Sequence, residues 1–102
     1  MTVVAYVPDL MDRSKVSAAV PGGATFVNRP GDLTTEADGA DVVVLDLSRP
    51  GVLDVLPLPA ARVLGFASHV DRATLESARD RGVEVFARSA FFRDVSGLLT
   101  QT

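Results

Sequence analysis

The run Asp41 to Leu47, DVVVLDL, constrains the fold more than any other part of the chain. Every side chain from Val42 to Leu45 is apolar. A strand sends alternate side chains to opposite faces, so this run leaves neither face to water. Such a strand belongs at the centre of a sheet with packing layers on both sides, which is what a parallel α/β sheet provides. The run is too short to cross a bilayer.

The flanking sequence alternates strand and helix signals. Thr2 to Val7 and Ala24 to Asn28 read as strands, as do Ala61 to Ala67 and Val83 to Ala87. After Pro8, Asp9 is placed to cap a helix that runs to about Val20, with Asp12 in its first turn and Leu10, Val16, Ala19 and Val20 on its apolar side. Pro21-Gly22-Gly23 stops it. Asp71 caps a second helix to Arg81, with Val70 and Leu75 placed as a hydrophobic staple and Gly82 as the stop. Ser89 caps a last helix with Phe92, Val95, Leu98 and Leu99 on its apolar side. The second crossover has room for one helical turn, Leu33 to Ala37, and the third, with Pro50, Pro57 and Pro59, for at most a short helix between Gly51 and Leu56. This alternation predicts one α/β domain over 1–102, a five-stranded parallel sheet with right-handed crossovers and shortened second and third helices.

Composition removes several functions. The 102 residues contain no Cys and a single His, His69, which excludes thiolate metal sites, disulfides and His-rich metal centres. A metal here would be a hard cation on carboxylates. The net charge is −3 and no basic stripe is present, so nucleic acid and anionic membranes are not expected partners. The first residues lack the basic start and long apolar stretch of a signal peptide, and the expected compartment is the cytoplasm.

In open parallel sheets, ligands bind beyond the carboxyl ends of the strands. The loops there hold Asp9, Asp46 to Arg49, Ser68-His69 and Arg88-Ser89. No GxGxxG follows the first strand and no GxxxxGK[ST] occurs, so the usual phosphate cradles are missing. Asp9 and Asp46 are equally explained as capping acids, and Arg88 as a surface ion pair with Glu84 or Asp94. His69 lacks a partner group for catalysis. Arg72, Glu76 and Arg79 are spaced for ion pairs along a solvated helix face. Phe91 and Phe92 point about 100° apart on a helix, so both cannot lie on one core line, and Phe91 is expected to be partly exposed or to cover a partner.

The stretch DVVVLDLSRPG, Asp41 to Gly51, resembles the third strand and following turn of the receiver domains of two-component signalling. The second half of the chain resembles the same family in its order of strand, capped helix, glycine, strand, basic residue and helix. The resemblance implies a flavodoxin-like sandwich with strand order 2-1-3-4-5. It places Asp46 at the phospho-acceptor position, Asp9 with Asp46 at the Mg²⁺ site, Phe86 at the aromatic switch position, and Arg88 where receivers carry a lysine. Ser68 and Ser89 are the hydroxyls nearest the expected phosphoryl contacts. Two positions depart from the pattern: Pro8 replaces one acid, and Ala67 stands where a Ser or Thr is expected. These residues give an expected function as a stand-alone, atypical receiver-like regulatory domain that acts by protein–protein contact. The resemblance also suggests self-association through the last two helices and the fifth strand. The competing expectations are a working phospho-acceptor that uses Asp46 with Mg²⁺, and a small flavodoxin-like ligand-binding domain.

Overall fold

A computed structural model of the chain describes residues 1–100. The elements in chain order are β1 (Val3–Tyr6), α1 (Leu10–Ala19), β2 (Thr25–Phe26), α2 (Leu33–Glu36), β3 (Val42–Asp46), β4 (Arg62–Ala67), α3 (Arg72–Asp80), β5 (Glu84–Ala87), α4 (Arg88–Arg93) and α5 (Val95–Thr100). Short 3₁₀ turns at Pro30–Asp32 and Leu53–Val55 fill the second and third crossovers. The strands form one parallel sheet in the order β2-β1-β3-β4-β5, a flavodoxin-like arrangement.

β3 is buried along its whole length, as its two apolar faces require. Val43 and Leu45 face a layer made by Leu33 and Ala37 around α2, Val52 and Leu58 of the third crossover, and Ala78 of α3. Val42 and Val44 face Val16 and Ala19 of α1, Phe91 of α4 and Leu99 of α5. Each such buried aliphatic contributes about 1.5–3 kcal/mol, against about 1 kcal/mol for a helix cap, so β3 dominates the choice of register.

The third crossover substitutes loop side chains for a helix. Leu47, Val52 and Leu58 are buried there. Leu47 lies directly over Gly65 of β4: a Cβ on residue 65 would come within 2.7 Å of the Leu47 Cγ. Glycine at 65 is therefore what lets Leu47 roof the sheet where a helix would otherwise lie.

Several local expectations are corrected. Phe91 is fully buried, stacked on Phe66 with ring centroids 5.0 Å apart, and it is Phe92 that is half-buried. The α4 helix starts two residues early, with Ala87 at the cap position, so Ser89 lies inside the helix and does not cap it. The last helix breaks at Asp94 into α4 and α5. Leu10 is exposed, because Asp12, not Leu10, shares the inward face of α1 with Val16 and Ala19. Val70 is also exposed, so no staple closes over Asp71, although the Asp71 carboxylate does accept the Thr74 N–H. Among the described residues, Arg72, Glu76 and Arg79 make no ion pair.

Candidate functional site

The parallel sheet brings the carboxyl ends of β1, β3, β4 and β5 to one rim. Asp46 ends β3 and shares pleat parity with Val42 and Val44, so it points toward the α1 and α4 side. Asp9 and Asp12 open α1 on that side, and Arg88 opens α4 immediately after β5. Sequence order spreads these groups over the whole chain; the crossovers gather them.

Asp46 is buried, at 4% exposure, and its own turn holds both carboxylate oxygens. Oδ1 accepts from the Ser48 backbone N–H at 3.1 Å and from the Ser48 hydroxyl at 2.6 Å. Oδ2 accepts from the Arg49 Nε at 3.3 Å. These are the bonds of a turn-fixing acid.

Arg88 does not reach for Asp46. Its Nη2 donates to Oδ1 of Asp12, a carboxylate only 1% exposed. The pair is stacked from the other side, with the guanidinium 5.6 Å from the Phe66 ring centroid and 5.2 Å from that of Phe92. The hydrogen bond to Asp12 holds the Arg88 pKa above its ordinary value; partial burial opposes that, and the charges of Asp12, Asp46 and Asp9 add to it. Asp46 and Asp9 thus lie within electrostatic range of Arg88 while Asp12 holds the direct bond. The other Asp12 oxygen, Oδ2, is buried without a hydrogen-bond partner.

The remaining expected site residues are less committed. Asp9 caps α1, accepting the Asp12 N–H at 2.9 Å. Ser68 is exposed, and its hydroxyl accepts the Val70 N–H at 3.4 Å. Ser89 is exposed on the first turn of α4. His69 is exposed beside a shallow cleft on α3. Ala67 is buried at the end of β4. Phe86 is half-buried, its ring centroid 6.0 Å from that of Phe91.

The donor set does not suit Mg²⁺. That ion demands near-ideal octahedral oxygen ligation. Asp46 accepts from Ser48 on one oxygen and has the Arg49 cation 3.3 Å from the other, and Asp9 accepts the Asp12 N–H at its cap. Among the described residues, no group of three or more His, Cys, Asp or Glu side chains is disposed to hold a metal. What this arrangement does chemically is neutralise itself: Arg49 answers Asp46, and Arg88 answers Asp12.

Asp12 is the site residue that the sequence places only as an acid in the first turn of α1, with no partner assigned. The signal for its role was present. Asp12, Val16 and Ala19 fall at i, i+4 and i+7, one face of a helix, and an acid on an inward face requires a partner. Among the described residues, no helix is long and apolar enough to cross a membrane. Comparison with protein-family models, with curated proteins and with solved structures gives no match.

Proposed function

We propose that the domain is a receiver-like regulatory module that acts by protein–protein contact and does not depend on phosphoryl transfer to Asp46. The observation that carries this reading is the commitment of the two key rim groups elsewhere: Asp46 to its own turn, and Arg88 to Asp12. A phospho-acceptor needs a carboxylate oxygen free to attack and a cation placed to neutralise the product. The bonds of Asp46 to Ser48 and Arg49, and of Arg88 to Asp12, argue against both roles.

Exposed apolar side chains support the contact role. The large exposed apolar residues are Met1, Leu10, Met11 and Val70. Leu10 and Met11 begin α1, and Val70 precedes α3, so three of the four border the carboxyl rim. A polar, internally balanced floor with apolar borders suits a protein partner better than a small anion. We place the contact face there. Self-association through the last two helices and β5, which the resemblance suggests, would not use Phe91, whose ring is buried in the core.

The test is an amide-shift titration of the ¹⁵N-labelled domain with Mg²⁺ and beryllium fluoride, a phosphoryl mimic. The reading predicts no saturable shift at Asp46, Ser48 or Arg88. A saturable shift centred on Asp46 would favour the phospho-acceptor function and overturn it.

A further inference from the structure

We draw no further inference here: the strongest candidate, the open groove between the edge strand β2 and the short helix α2, has its two carboxylates, Asp32 and Glu36, balanced by Arg13 and Arg29, and nothing in the structure shows what covers it.

Discussion

Replacing Arg88 with methionine tests the buried pair at the rim most sharply. Methionine keeps much of the stem that lies near Phe66 and Phe92 but removes the cation. Asp12, 1% exposed and already carrying one unpartnered oxygen, then has no partner on either side-chain oxygen. Removing one member of a fully buried pair costs about 3–5 kcal/mol. Arg88 is itself 46% exposed, so water can reach the vacated side, and the expected loss falls to about 2–4 kcal/mol. For a domain of this size that lowers Tm by about 10–25 °C. The double variant Asp12→Leu with Arg88→Met removes charge and partner together and should return to within about 1 kcal/mol of the parent. Urea denaturation followed by circular dichroism measures all four corners of the cycle. A single R88M variant within about 0.5 kcal/mol of the parent, or a double variant whose loss is the sum of the singles, would refute the pairing.

Other outcomes follow from individual contacts. Gly65→Ala drives a methyl into Leu47 and should destabilise by about 1–3 kcal/mol in the same denaturation assay, with Leu47→Ala on the G65A background restoring part of the loss. Phe91→Ala empties a fully buried, stacked position and should cost about 3–5 kcal/mol, whereas a partly exposed Phe91 would cost far less. Because the hydrogen bond to Asp12 raises the Arg88 pKa above its ordinary value, its charge stabilises the fold at every pH below the ordinary arginine range and is lost only as pH climbs through the still higher folded value. Tm of the parent should therefore show no Arg88-dependent fall between pH 7 and about 10, while Arg88→Lys should lose stability above pH about 10 as the lysine deprotonates.

The fold was legible because β3 admits only one environment. A strand apolar on both faces has to be central, and the two thin crossovers around it were visible as proline clusters and short apolar runs. Periodicity was a weaker guide where an apolar residue stood next to an alternative. Leu10 looked inward by hydropathy, yet the α1 face is set by Val16 and Ala19, and these carry Asp12 inward with them. Phe91 and Phe92 posed the same choice, and adjacent aromatics on one turn do not say which faces the sheet; Phe66 decides it by stacking on Phe91. The candidate site was legible as a location but not as a wiring scheme. Strand ends placed Asp9, Asp46 and Arg88 on one rim, but the partner of Arg88 depends on the relative height of α1 and α4 over the sheet, which no local motif encodes.

The central claim is that Asp46 is held as a structural acid. The most direct measurement is incubation of the domain with acetyl phosphate and Mg²⁺, followed by intact mass spectrometry under conditions that preserve acyl phosphates. The account predicts the unmodified mass throughout. A mass increase of one phosphoryl group, absent from the Asp46→Asn variant, would contradict it.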